Sequence, residues 1–193
     1  MAEEMNHEES LKIINSMIQR AQNKMTDNSI HYLIWGYMVS IAALAHYTLL
    51  QFDYDQAWLP WPVLMTAAGI FAGIKGAKKA KQSGARSYTD RLMSFLWGGM
   101  VVVMLALISQ GAQIGWDKVY PIFVLIWAWA LFVSGGMLRF KPLLFGAFLN
   151  LIIALVAFYQ EFEIQLLLLA LSMIGSYLVP AYMLKRKIRN NAA

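Results

Sequence analysis

Six stretches of about twenty residues, none with an acidic or basic side chain in its middle, fill most of this chain. Each is long enough to cross a hydrocarbon core of about 30 Å as an α-helix. A backbone facing lipid must satisfy its own hydrogen bonds, so only helices and closed barrels can span a membrane. A barrel would alternate apolar and polar residues along strands of about ten. The run Val101-Val102-Val103-Met104-Leu105-Ala106-Leu107-Ile108 does not alternate. Composition agrees with the helical solution: 59% of residues are hydrophobic and 14% charged, against about 45–50% and about 25% in soluble domains.

The expected fold is therefore all-α, a polytopic membrane bundle over 30–184. Its spans are placed at 30–51, 57–75, 91–112, 119–138, 142–160 and 164–184, and a basic tail follows at 185–193. Residues 1–29 form a polar, mixed-charge segment opened by Glu3, Glu4, Glu8 and Glu9. It lacks the basic start and early apolar core of a cleavable signal peptide, so the first span is expected to act as the insertion signal. Within it Leu11, Ile14, Ile18, Ala21 and Met25 recur at spacings of three and four. That spacing predicts an amphipathic helix over 8–25 with one narrow apolar stripe, suited to a helical partner more than to membrane insertion.

The one sizeable linker is expected between Lys75 and Arg91, with Lys78, Lys79, Lys81 and Arg86 between them. The other connections are short enough for antiparallel hairpins. Pro60, Pro62, Pro121 and Pro142 fall near span starts, where a missing N–H costs little. Pro180 lies inside the last span and is expected to kink it. With both termini cytoplasmic, fifteen of the sixteen Lys and Arg lie inside and only Lys118 lies outside, so the positive-inside rule places the N- and C-termini in the cytoplasm. The net charge of +5 is then a topology signal, with Lys75, Lys78, Lys79, Lys81 and Arg86 as candidate contacts to anionic lipid, and nucleic acid is not an expected partner.

Little in the spans can carry chemistry. The polar residues there include Ser40, His46, Ser109, Gln110, Gln113, Ser134, Asn150, Ser172, Ser176 and Tyr177, with no nucleophile, base and orienting group at a useful spacing. His46, with Asp53 and Asp55 following, does not form a recognised metal-ligand spacing. With no cysteine there is no disulfide or thiolate site. No catalytic residue, cofactor or metal is expected. No acid stands at membrane depth, which argues against ion-coupled transport. Asn150, one turn after Gly146, is read first as packing glue through a cross-helix hydrogen bond. With Gly146, Ser134, Ser172 and Tyr177 it is also the candidate ligand lining.

Gly69-Ile70-Phe71-Ala72-Gly73 is a GxxxG pattern, and Ser172, Gly175 and Ser176 give the last span a small face; both suit close helix contact. Trp58, Trp61, Trp116, Tyr54, Tyr120 and Tyr159 gather at the outer ends as an aromatic belt. A weak repeat, Leu33-Ile34-Trp35-Gly36, Phe95-Leu96-Trp97-Gly98 and Leu144-Phe145-Gly146, is read as interfacial aromatics followed by packing glycines.

The segments Phe132-Val133-Ser134-Gly135-Gly136-Met137-Leu138-Arg139-Phe140-Lys141-Pro142-Leu143-Leu144-Phe145-Gly146 and Gly175-Ser176-Tyr177-Leu178-Val179-Pro180-Ala181-Tyr182-Met183-Leu184-Lys185, with the Trp35-Gly36 entry, carry a resemblance. In them the chain resembles an uncharacterised family of small multi-span inner-membrane proteins found in Bacteroidota. The resemblance implies a bacterial inner membrane and brings no catalytic residues. Ala181 stands where that family commonly has glycine. The functional expectation is a non-enzymatic interaction or regulatory component whose partners are the lipid bilayer and either a second copy or a cytoplasmic protein. The alternative is a small transporter or channel subunit for an uncharged or apolar substrate.

Overall fold

The computed structural model describes residues 30–82 and 88–183, together with Arg186. The expected N-terminal helix with Leu11, Ile14, Ile18, Ala21 and Met25 lies outside the described residues, as does Arg86. Every regular element among the described residues is helical: α1 (Ile30–Gln51), α2 (Pro60–Gln82), α3 (Tyr88–Ser109), the single turn α4 (Gly111–Ile114), α5 (Trp116–Leu138), α6 (Lys141–Ala157) and α7 (Phe162–Met183). Four of them, α1, α3 from Arg91, α5 and α7, are long and apolar enough to cross a membrane. At 17 residues α6 is apolar but shorter, and α2 carries lysines in its second half.

Those lysines revise the linker. Lys75, Lys78, Lys79 and Lys81 lie on α2, which runs unbroken to Gln82, and α3 resumes at Tyr88. Alanine, lysine and glutamine are good helix formers, and no proline interrupts this stretch before Ser83-Gly84. A run of cations limits how deep a segment sits in a membrane without ending its helix.

Turn chemistry sets the hairpins. After α5, Arg139 adopts the left-handed conformation (φ 50°), with Arg139 N–H donating to Gly136 O and Phe140 N–H to Gly135 O. This Schellman arrangement satisfies carbonyls at the helix end and buries the following apolar residue, here Phe140. Pro142 then falls in the first turn of α6, where its missing N–H is harmless. Asp53 (φ 49°) closes α1 in the same way, with Asp53 N–H on Leu50 O and Tyr54 N–H on Leu49 O.

The helices are unequal in burial. Over their most apolar stretches α7 is 61% buried, α5 50%, α1 33% and α3 only 6%. Leu131 and Val124 of α5, Leu143 of α6, Leu166, Leu169 and Met173 of α7 and Val39 of α1 form the fully buried centre. The bundle is thus α1, α5, α6 and α7, with α2 and α3 at its periphery. Its ends differ in charge. Asp53, Asp55, Asp117, Glu161 and Glu163 stand with Lys118 at one end, and Arg139, Lys141 and Arg186 stand at the other.

Pro180 does not act as a simple kink. The helix widens into a π turn over Ile174–Leu178, in which Val179 N–H donates to Ile174 O, five residues back. Such a turn absorbs the irregularity that a proline imposes one residue later. Onto it come two glycines. A Cβ on Gly146 would sit 2.9 Å from Ser176 O and 3.0 Å from Ser176 Cα, and one on Gly36 would sit 2.6 Å from Leu178 Cδ2 and 3.1 Å from Tyr177 Cβ.

Pro121, the sixth residue of α5, has no N–H to return to Asp117 O. Gln165 of α7 supplies one instead: its Nε2 lies 2.8 Å from Asp117 O, 3.0 Å from Gln160 O and 3.1 Å from Ala157 O. One buried amide therefore serves a carbonyl freed by proline and the carbonyls closing α6. Replacing it with leucine removes this donor from Asp117 O and Gln160 O, while Ala157 O keeps the Gln160 N–H, at a cost of about 1–3 kcal/mol. Gln165→Leu is expected to lower the unfolding free energy in mixed micelles by that amount, and an unchanged unfolding free energy would refute the assigned role.

Candidate functional site

Two polar and aromatic clusters lie inside the bundle, one near each end. At the acidic end His46 of α1 is buried at 5% exposure and turned inward. Its Nδ1 accepts from Trp61 Nε1 at 2.9 Å, and the Tyr120 hydroxyl stands 3.4 Å from the same atom. An indole nitrogen only donates, so Nδ1 carries the lone pair and the imidazole proton sits on Nε2. Phe162 packs edge-on at 5.6 Å from the His46 ring and at 5.2 Å from Tyr120. The expected aromatic belt therefore divides. Tyr54, Trp58, Trp116 and Tyr159 are exposed, whereas Tyr120 is buried and Trp61 half-buried, joining α2 and α5 to His46.

This cluster lacks the parts of a catalytic centre. The one lone pair on His46 is occupied, and no nucleophile is among its partners. Among the described residues no group of three or more His, Asp or Glu side chains is placed to hold a metal ion. The geometry fastens helices: Trp61 ties the peripheral α2 to α1, and Gln51 Nε2 donates to Glu163 Oε2 at 2.7 Å, tying α1 to α7.

At the basic end Tyr32 of α1, Trp97 of α3 and Tyr177 of α7 meet edge-on, with centroids 5.8–6.3 Å apart. Ser134 of α5 neighbours Tyr32. Trp97 does for α3 what Trp61 does for α2, one indole holding a helix that is otherwise largely outward-facing. Tyr37 and Tyr182 join hydroxyls across α1 and α7.

Of the residues singled out as a ligand lining, Ser134, Asn150, Ser172 and Tyr177 are sealed, and Gly146 alone borders a groove between α6 and α7. Ser134, Asn150 and Ser172 have no exposed surface, Tyr177 is 2% exposed, and Gly146 is buried against Ser176. The cross-helix bond expected of Asn150 is not formed: among the described residues neither its Oδ1 nor its Nδ2 has a partner, nor does the Tyr177 hydroxyl. The reason lies on α7. Ser172 Oγ donates to Leu169 O and Ser176 Oγ to Ser172 O, so both hydroxyl protons serve their own helix and neither is donated to Asn150 Oδ1. Of the cations assigned to lipid contact, Lys75 and Lys78 are exposed on α2.

Among the described residues the GxxxG pattern has no helix against it: a Cβ at Gly69, Gly73 or Gly76 would meet nothing within 4 Å. The inward His46 and the pairing of Trp61 with it left no mark in the sequence, because the partners are 15 and 74 residues apart and follow no helical period.

If the His46–Trp61 bond anchors α2, His46→Phe and Trp61→Phe are each expected to cost about 1–3 kcal/mol. The double variant is expected to cost less than their sum by at least about 0.5 kcal/mol. Strict additivity in a four-member unfolding cycle would refute the anchor. In comparisons with protein-family models, with curated proteins and with solved structures, the chain matches none.

Proposed function

We propose that this protein is a six-span component of a bacterial inner membrane that acts through its surfaces, on lipid and on protein partners, without catalysing a reaction or conducting a solute. The observation that carries this reading is the sealing of the polar interior. The residues best suited to line a conduit are shielded, and the hydroxyls of Ser172 and Ser176 are spent on their own backbone. Supporting the six spans are the antiparallel succession of α1, α2, α3, α5, α6 and α7 and the separation of charge between the ends. The positive-inside rule assigns the basic end, and with it both termini, to the cytoplasm. The bacterial inner membrane rests on the resemblance at Phe132–Gly146 and Gly175–Lys185. The handles for partners are the amphipathic helix over 8–25, the cations of α2 and the basic tail.

One observation favours the second reading, a carrier of a small uncharged solute. Asn150 is buried with neither amide atom paired, which a small polar ligand or one ordered water would satisfy. Asn150→Leu separates the two. As an unpaired amide it costs stability, so the leucine variant is expected to unfold at the same or a higher denaturant level, and proteoliposomes of the natural chain are expected to pass neutral solutes no faster than empty ones. Solute flux abolished by Asn150→Leu would establish the carrier instead.

Topology is tested without background, since the chain has no cysteine. Asp55→Cys is expected to react with an impermeant maleimide from the outer face, and Ser83→Cys and Ala193→Cys only after permeabilisation. Labelling of Ser83→Cys in sealed cells would reverse the orientation. For the N-terminal helix, burial of Ile14 and Ile18 would contribute about 1.5–3 kcal/mol each before entropy. Ile14→Glu with Ile18→Glu is expected to leave insertion intact and to remove cross-linked species in native membranes. Unchanged species would exclude this helix as a partner site.

A further inference from the structure

Between α6 and α7, at the basic end, lies a groove with a cavity volume of about 410 Å³, within the roughly 300–1,000 Å³ of ligand-sized clefts. Lys141 and Met183 stand at its mouth, and Gly146, Leu149, Gly175 and Val179 line it further in. It exists because of the close approach at the π turn: Gly146 cannot carry a side chain against the Ser176 backbone, so the floor is bare where the helices touch.

Its dimensions match one leaflet. From Lys141 to Leu149 on α6, and from Gly175 to Met183 on α7, the groove follows eight residues, about 12 Å at 1.5 Å per residue. Half of a hydrocarbon core of about 30 Å is about 15 Å. Its charge is one-sided. Lys141 is the only charged residue of the lining, Arg139 is exposed two residues before it, and Arg186, helical and exposed, follows Met183 by three. Of the described acids, Asp53, Asp55, Asp117, Glu161 and Glu163 lie at the opposite end of the bundle, and only Asp90, on the first turn of α3, lies at this one. A slot that is apolar for one leaflet's depth and ringed by cations at the interface has the chemistry of a single phospholipid, because basic pockets between spans capture anionic headgroups.

We propose that this groove holds one acyl chain of an anionic phospholipid, with the headgroup phosphate against Lys141 and Arg139. This rests on the bilayer reading alone and is independent of whether the interior conducts. The site is distinct from the cations of α2, none of which is among its described lining residues.

The full chain, placed in nanodiscs that contain photoreactive diazirine-acyl phosphatidylglycerol or phosphatidylcholine, tests the assignment by mapping adducts. Adducts are expected to concentrate on Phe145–Leu149 and Val179–Met183, several-fold above those on the outward face of α3 at Val102 and Leu105. They are expected to be denser for phosphatidylglycerol. Lys141→Gln is expected to reduce that preference about fivefold, the factor for one cation at a membrane surface, and Lys141→Arg to restore it. Val179→Trp, which fills the slot, is expected to remove adducts from it for both lipids and leave those on α3 unchanged. Adducts no denser in the groove than on α3, equal labelling by both lipids, or a groove occupied by a second copy of the chain would overturn the assignment. Absence of adducts on α3 as well would overturn the bilayer reading with it.

Discussion

The close approach of two helix backbones to the π turn of α7 is the contact on which the rest of the structure depends. Lipid is as apolar as the side chains, so a membrane bundle gains little from hiding them and relies on fit between surfaces. At Gly146 the backbone of α6 rests on Ser176, and at Gly36 the backbone of α1 rests on Leu178 and Tyr177. The π turn that Pro180 accompanies thus becomes the hub of the bundle. Tyr32, Ser134 and Trp97 gather around Tyr177, and the apolar groove opens beside Gly146. The same short stretch of α7 therefore fixes the core, the aromatic cluster and the slot.

Around that hub the molecule has two kinds of helix. α1, α5, α6 and α7 pack on one another, while α2 and α3 present Val63, Ile70, Phe71, Val102 and Leu105 outward and reach the core through Trp61, Met65 and Ala68 on α2 and Trp97, Met100 and Met104 on α3. An indole combines a large apolar face with a single donor. Trp61 spends its donor on His46, while Trp97 contributes its ring. The arrangement leaves apolar side chains of α2 and α3 exposed while Ser134, Asn150 and Ser172 stay buried.

Much of this was legible, and the failures have specific causes. Apolar length placed the end of α1 at Gln51, because the length of an apolar helix is set by the layer it can cross. Charge misled at 75–91: the lysines mark where α2 leaves the apolar layer, while its helix continues on residues of high propensity. The glycines show the sharpest limit. Gly73 in a GxxxG motif is open, and Gly146 in no recognised motif is indispensable, because composition says that a backbone can be approached and not which face of the helix is turned inward. Asn150 was expected to bond across helices, but its potential partners on α7 bond within their own helix. The position of His46 along its span does not say which way it faces, and only the fold brings Trp61, Tyr120 and Phe162 around it.

The central claim is that backbone contact at the π turn, and not the GxxxG face of α2, holds the bundle together. Unfolding of Gly146→Val and Gly73→Val in the same mixed micelles tests it most directly. A valine at Gly146 must displace the Ser176 backbone and is expected to cost about 1–3 kcal/mol. A valine at Gly73 meets nothing and is expected to change stability by less than about 0.5 kcal/mol. Equal losses at the two positions, or a neutral Gly146→Val, would contradict the account.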